Sequence, residues 1–127
     1  MSARTWTLVF DKFGRPLTEN EAHRLHFRQV AAVRKGYRHT ATLMARQARI
    51  PKLARVTIEV TGRYPNRRNL PDPGALAPAA KPIIDGIVDA GVIPDDSGTY
   101  VDAITYYAPV VGVGEPALIL TITEVTE

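Results

Sequence analysis

Polar and apolar side chains alternate over Thr5–Phe10 (TWTLVF) and again over 54–62 (ARVTIEVTG), where Val56, Ile58 and Val60 take one side and Thr57, Glu59 and Thr61 the other. A period of two, filled with β-branched and aromatic residues, predicts two half-buried strands. Two further β-rich runs, 100–110 and 117–123, flank the turn-forming sequence Gly112-Val113-Gly114-Glu115-Pro116, and the pattern predicts that they pair as a hairpin.

Between the first two strands the period changes. Phe13-Gly14-Arg15-Pro16 reads as a turn, and Thr18 followed by Glu21 reads as a capping box that opens a helix. From 20 to 47 there is no proline and only Gly36 interrupts the helix formers, so one long helix is expected, with any break near Gly36-Tyr37. Its apolar positions, Leu25, Val30, Val33, Ala41, Leu43 and Met44, drift around the axis, whereas its cations Arg24, Arg28, Arg34, Lys35, Arg38 and Arg46 are frequent throughout. Residues 50–53 connect it to the second strand, and 64–73 form a Pro-, Arg- and Asn-rich loop.

A second, short helix follows. Proline is at home only in a first turn, so Pro78 and Pro82 predict a loose turn over 76–81 and a regular helix over 82–90. Ile83, Ile84, Ile87 and Val88 make its apolar stripe, Asp85 and Asp89 lie on the other side, and Lys81 stands one turn before Asp85. Gly91 is placed to cap its C-terminus. The order β-α-β-α-β-β predicts an α+β fold: a small mixed β-sheet with one long N-terminal helix and one short helix on one side.

A chain of 127 residues, 45% hydrophobic, suits a single domain spanning 1–127 with a modest core. Cysteine is absent, which excludes disulfides, thiolate metal sites and cysteine nucleophiles and suits a reducing compartment. No apolar run approaches the roughly 20 residues that span a bilayer, and MSARTWTLVF lacks the apolar centre of a signal peptide, so a cytoplasmic protein without a membrane partner is expected. The net charge of +3 conceals an asymmetry. All 16 Lys and Arg lie between Arg4 and Lys81 against five acids, giving +11, while residues 82–127 hold eight acids and no Lys or Arg, giving −8. Such segregation predicts a basic face suited to nucleic acid and an acidic face or pocket suited to metal.

Both features meet in 67–96, RRNLPDPGALAPAAKPIIDGIVDAGVIPDD, where Arg67, Arg68, Asp72, Lys81 and Asp95-Asp96 surround the short helix. Carboxylates are the ligands that hard divalent cations prefer, and Arg or Lys alongside supplies phosphate contacts. In isolation each residue also has an ordinary structural role. Asp95-Asp96 suits a turn, Asp72 an Asx turn before Pro73, Lys81 an exposed helix start, and Asp85 either completes a site or pairs with Lys81. His23 and His26, three apart, suit packing or DNA contact better than metal binding, and Asn20 suits a cap or a DNA contact.

The order of these parts resembles the RusA-type Holliday junction resolvases, whose members carry a basic run ending in Asp, a Lys at a helix start, an Asp-containing helix segment, a Gly and then Asp-Asp. Here those parts are Arg67-Arg68, Asp72, Lys81, Asp85-Gly86-Ile87, Gly91 and Asp95-Asp96. Trp6, Leu17-Thr18, Asn20 and His23/His26 extend a weaker likeness to longer-looped members of actinobacterial and phage origin. The resemblance implies a structure-selective endonuclease that resolves four-way DNA junctions in recombination and repair, with Asp72, Lys81 and Asp96 catalytic. It further implies Mg²⁺ or Mn²⁺ held by Asp72 and Asp96 with Asp95 or Asp85, and a homodimer matched to a two-fold substrate. Arg67, Arg68, Arg24, Arg28, Lys35 and Arg38 are the candidate DNA contacts. One departure stands out: family members read Asp-Leu-Asp-Asn or Asp-Pro-x-Asn where this chain has Asp72-Pro73-Gly74-Ala75, so Ala75 replaces the usual Asn. A relative with weakened or lost catalysis, binding DNA or a host protein, is the alternative expectation.

Overall fold

The computed structural model describes residues 3–126. In chain order these form β1 (Thr5–Phe10), α1 (Glu19–Arg24), α2 (Phe27–Gln47), β2 (Val56–Tyr64), a 3₁₀ turn (Pro73–Leu76), α3 (Ala77–Asp89), β3 (Val101–Tyr106), β4 (Val110–Val111) and β5 (Ala117–Glu124). The strands make one mixed sheet in the order β1-β5-β2-β3, with β4 also beside β2. β5 runs antiparallel to β1 and β2, while β3 and β4 run parallel to β2. The fold is α+β, as the pattern predicts.

One face of the sheet carries the core. Along β2 every second residue, including Val56, Ile58 and Val60, is buried, and the residues between are half-buried. Leu8, Phe10, Leu118, Leu120 and Ile122 join them from β1 and β5, and Val30, Tyr37, Ala41, Ile83, Ile84 and Ile87 from α2 and α3 close the layer above.

The last two runs do not form a hairpin. β5 sits between β1 and β2, and the segment from Gly112 to Pro116 crosses the end of β2, where Arg63 Nε and Nη2 donate to the Glu115 carbonyl at 3.2 and 2.9 Å. Burial explains the choice. Ala117, Leu118, Leu120 and Ile122 are all fully buried, so β5 gains most where neighbours flank it on both sides, and tertiary packing overrides the local turn signal. The run over 100–110 also divides, because Pro109 has no N–H for the ladder; β3 ends at Tyr106 and pairing resumes at Val110.

The long helix breaks at Leu25-His26 rather than at Gly36. Leu25 is extended (φ −77°, ψ 151°), and a fresh cap restarts the helix: His26 Nδ1 accepts from the Arg28 N–H at 3.1 Å and Gln29 Oε1 accepts from the His26 N–H at 3.1 Å. Gly36 stays helical and makes room, since a Cβ there would lie 3.2 Å from the Phe13 ring, which stacks on Tyr37 at 4.4 Å. The apolar drift also resolves. Val30, Tyr37, Ala41 and Ala45 form the buried stripe, while Leu25 and Leu43 face solvent.

α3 begins earlier than its prolines suggest, at Ala77, directly after the 3₁₀ turn, and it continues through Pro82. The Pro82 ring is buried, and the packing of Ala79, Ala80, Ile83, Ile84 and Ile87 outweighs the lost backbone hydrogen bond. Gly91, at φ +85°, ends the helix in a Schellman arrangement, with its own N–H on the Val88 carbonyl at 2.9 Å and the Val92 N–H on Ile87 at 3.3 Å.

α2 and α3 cross at near contact. A Cβ at Gly86 would lie 2.3 Å from the Arg38 carbonyl oxygen and 2.8 Å from Ala41 Cβ, and Thr42 Oγ1 donates to the Gly86 carbonyl at 3.0 Å across the crossing. Gly86→Ala therefore separates two effects of opposite sign. Helix propensity alone would stabilise by about 1 kcal/mol, whereas forced separation of packed helices costs about 1–3 kcal/mol. We expect a lower denaturation midpoint in urea; a higher one would show that the crossing relaxes freely.

Candidate active site

Three of the residues singled out in the sequence meet around one ammonium group. Lys81 Nζ donates to Asp85 Oδ1 at 2.8 Å, one turn along α3, and to Asp96 Oδ2 from the loop after the helix. These contacts hold the Lys81 ammonium above its ordinary pKa, with Asp85 the larger cause and Asp96 the second. The spacing of four between Lys81 and Asp85 is a helical geometry. Asp96 arrives by tertiary means: Val92 and Ile93 are buried in the core, the Val92 carbonyl accepts from the Leu53 N–H at 2.8 Å, and the loop is thereby pinned under α3.

Asp95 is turned to a different task. Its Oδ1 accepts from the Ser97 N–H at 2.7 Å, and hydrogen bonds from the Ser97 side chain and backbone hold its carboxyl below the usual range. Within the doublet, Asp95 shapes the turn and Asp96 reaches Lys81.

The opposite wall of this site is α2. Arg34, Lys35 and Arg38, at helical spacings of one and four, line with Lys81, Pro82 and Asp85 a cleft of about 390 Å³. Arg34 and Lys35 form no ion pair among the described residues. Arg38 is engaged: its guanidinium grips Asp89 through Nε at 2.7 Å and Nη2 at 3.0 Å.

Asp72 lies elsewhere. It precedes the 3₁₀ turn, is exposed, and borders a larger cleft of about 940 Å³ together with Arg15, Asn20, Arg24, Asn69 and Ala75. Its side chain makes no hydrogen bond or ion pair among the described residues, and its carbonyl accepts from the Ala75 N–H at 3.0 Å. Ala75 brings only a methyl group to this cleft. Arg15 was not legible as a site residue, because its placement is tertiary: it lies 4.7 Å over the Tyr64 ring and donates to the Asn69 carbonyl at 3.0 Å.

The remaining candidates scatter. Arg67 and Arg68 are exposed in the loop before the 3₁₀ turn, and Arg28 lies 5.8 Å over the exposed Phe27 ring. His26 is the cap of α2, His23 approaches Glu19 at 4.0 Å, and Asn20 borders the cleft beside Asp72, where Thr18 rather than Asn20 caps α1. Among the described residues no three His, Cys, Asp or Glu side chains are grouped to hold a metal ion, and no helix is long and apolar enough to cross a membrane.

The charge asymmetry along the chain does not become two separate faces. Much of it folds into pairs, with acids from the last 46 residues meeting bases from the first 81: Arg4 with Glu124 at 2.7 Å, Arg38 with Asp89 at 2.7 Å, Arg55 with Asp102 at 2.6 Å, and Lys81 with Asp85 and Asp96. Hydrogen bonds from these arginines hold Asp89, Asp102 and Glu124 below the usual carboxylate range. Their folded pKa lies below the ordinary 3.8 for Asp and 4.5 for Glu. The stabilisation is thus complete above those values and is lost as pH falls through the folded pKa. A thermal unfolding midpoint that is flat near neutrality should drop on the acid side, and Arg38→Met should shrink that drop by removing the Asp89 share. An unchanged acid limb in Arg38→Met would show that this pair is silent.

No model of a known protein family matches the chain, and no curated protein matches it.

Proposed function

We propose that this chain is a divalent-metal-dependent endonuclease of RusA type that acts on four-way DNA junctions. The observation that carries the reading is the Lys81 ammonium held between the Asp85 and Asp96 carboxylates, with Lys81 and Asp85 also lining a cleft whose other wall is Arg34, Lys35 and Arg38. Two carboxylates converging on one cationic centre are the donor chemistry of a hard divalent ion, and Mg²⁺ commonly takes only one or two protein carboxylates, completing its shell with water and substrate phosphate. Asp96 and Asp85 would hold the ion, with Asp72 bordering the neighbouring cleft. When bound, Mg²⁺ or Mn²⁺ supplies Lewis acidity and an activated water for phosphodiester hydrolysis.

The protein's own groups divide the remaining work. Lys81 is positioned to leave its carboxylates for a non-bridging phosphate oxygen, a compact charge on a flexible stem. Arg34, Lys35, Arg67 and Arg68 hold backbone phosphates on either side, in contacts that weaken as salt rises. Arg24 and Arg15 supply the same chemistry beside Asp72, and Arg38 contributes once it exchanges Asp89 for phosphate. The two-fold symmetry of a four-way junction asks for two sites, hence a homodimer.

A second reading has its own observation. Ala75 gives the Asp72 cleft no side-chain donor, and Lys81 already occupies the position between the Asp85 and Asp96 carboxylates, which suits a protein that binds branched DNA or a host protein without cutting. One assay separates the two. With Mg²⁺ or Mn²⁺ and a synthetic four-way junction, the enzyme reading expects paired nicks in wild type, loss of about 100-fold or more in Lys81→Met and Asp96→Asn, and a gain of about 10-fold in Ala75→Asn. Salt-sensitive binding without nicking in wild type supports the binding reading. Absence of both binding and nicking removes nucleic acid as the partner.

A further inference from the structure

We propose that the groove between α1 and α2 docks an acidic, amphipathic segment of another protein, seated by apolar anchors and held by the arginines beside it. The groove has a local cause. Leu25 and His26 are both extended, which separates α1 from α2. The hollow between them, about 450 Å³, is lined by Ala22, Leu25, Phe27, Val30, Ala31 and Arg34. Phe27, Val30, Ala31 and Arg34 share one face of α2 at spacings of three and four, and Ala22 and Leu25 complete the wall from α1 and its end.

Two large apolar side chains stand open here. Phe27 is 71% exposed and Leu25 38%. Burying a side chain of this size stabilises by about 1.5–3 kcal/mol. A lone exposed apolar residue is ordinary, but a contiguous apolar surface rimmed by charge marks a place where another molecule sits. The floor is firm, because Val30 is buried and belongs to the core. Phe27 is also held in place: its ring centroid lies 4.5 Å from that of His26, whose own ring is fixed as the cap of α2, and the Arg28 guanidinium lies 5.8 Å over it. An anchor already ordered costs less to engage.

Charge identifies the occupant. Residues 22–58 contain nine Lys and Arg and no Asp or Glu. Arg28 and Arg34, the two at the groove, have no ion partner among the described residues. What sits here must therefore bring anions and apolar surface together. Duplex nucleic acid brings phosphates but keeps its bases stacked inside, and a second copy of this chain would set the cationic stretch against itself. A polypeptide with Asp or Glu beside Leu or Phe supplies both. An amphipathic helix laid in a groove offers anchors at the spacings of three and four that match this wall. Docking here needs neither the Lys81 cluster nor a metal ion, so it stands or falls apart from either functional reading.

Fluorescence anisotropy on the whole chain tests the proposal. The probes are labelled acidic peptides of about four helical turns with Leu, Phe or Trp anchors at spacings of three and four, a scrambled peptide of the same composition, and oligothymidylate. A patterned peptide is expected to bind with a Kd of about 10–300 µM, about tenfold or more tighter than its scramble. Phe27→Ala should weaken that binding about tenfold or more, and Phe27→Leu should restore most of it, since a groove needs apolar volume rather than an aromatic face. Arg28→Gln combined with Arg34→Gln should weaken binding and flatten its salt dependence. Val113→Ser, at a fully exposed apolar residue between β4 and β5, should leave binding unchanged. Amide resonances of Ala22, Leu25, Phe27 and Ala31 should shift on titration, and circular dichroism establishes that each variant is folded. Equal binding of patterned and scrambled peptides overturns the proposal, as do unchanged binding in Phe27→Ala and the failure of every patterned peptide to bind. Oligothymidylate binding that both Phe27→Ala and Phe27→Leu abolish also overturns it, by assigning the face to unpaired bases.

Discussion

The cleft that sets α2 against the Lys81 cluster depends on how closely α2 and α3 approach at Gly86. No side chain fits between the Gly86 Cα and the Arg38 carbonyl, and Thr42 ties the two backbones with one hydroxyl that donates to both Arg38 and Gly86 carbonyls at 2.9 and 3.0 Å. Close packing of this kind sets both distance and rotation of a helix pair. It sets Lys81 and Asp85 opposite Arg34 and Lys35 and brings Asp89 within reach of Arg38. A wider crossing would leave the same residues on two separate surfaces.

Charge follows the same geometry. A chain whose cations precede residue 82 and whose acids crowd the remainder has every reason to fold its ends together. The sheet does this with Arg4 on Glu124 and Arg55 on Asp102, and the helix pair with Arg38 on Asp89. These pairs are exposed, and each contributes little to stability. Their larger effect is selective: they remove certain cations from availability and leave Arg24, Arg28, Arg34, Lys35, Arg67 and Arg68 without an ion partner among the described residues. The basic surface that remains is smaller than composition suggests and lies largely on α1, α2 and the loop before the 3₁₀ turn.

Legibility varied with the range of the cause. β1 and the core of β2 were readable because a two-residue period is a local property of the chain, and the Lys81–Asp85 contact was readable because a spacing of four on a helix is local too. Asp85 was open between completing a site and pairing with Lys81; it contacts Lys81 at 2.8 Å within the same cluster that Asp96 joins, an arrangement compatible with both roles. The break at Leu25-His26 is poorly legible in the sequence because histidine is an uncommon cap, and its signal is the His26-to-Gln29 spacing of three. Tyr37 and Ala45, which complete the buried stripe of α2, carry a weak apolar signal, because one is an aromatic with a polar tip and the other is small.

Local pattern is enough for the α+β class, for β1, β2 and β5, for the existence of both helix regions and for the residue types gathered in 67–96. These follow from period, capping and propensity, which act over a few residues. Long-range packing settles that β5 enters between β1 and β2, that Asp96 rather than Asp95 meets Lys81, that Asp72 stands in a different cleft, and that β3 has β2 as its one strand neighbour among the described residues. Those outcomes turn on which buried surfaces compete best for the one core available. Such competition is between segments far apart in the chain, where local pattern carries no information.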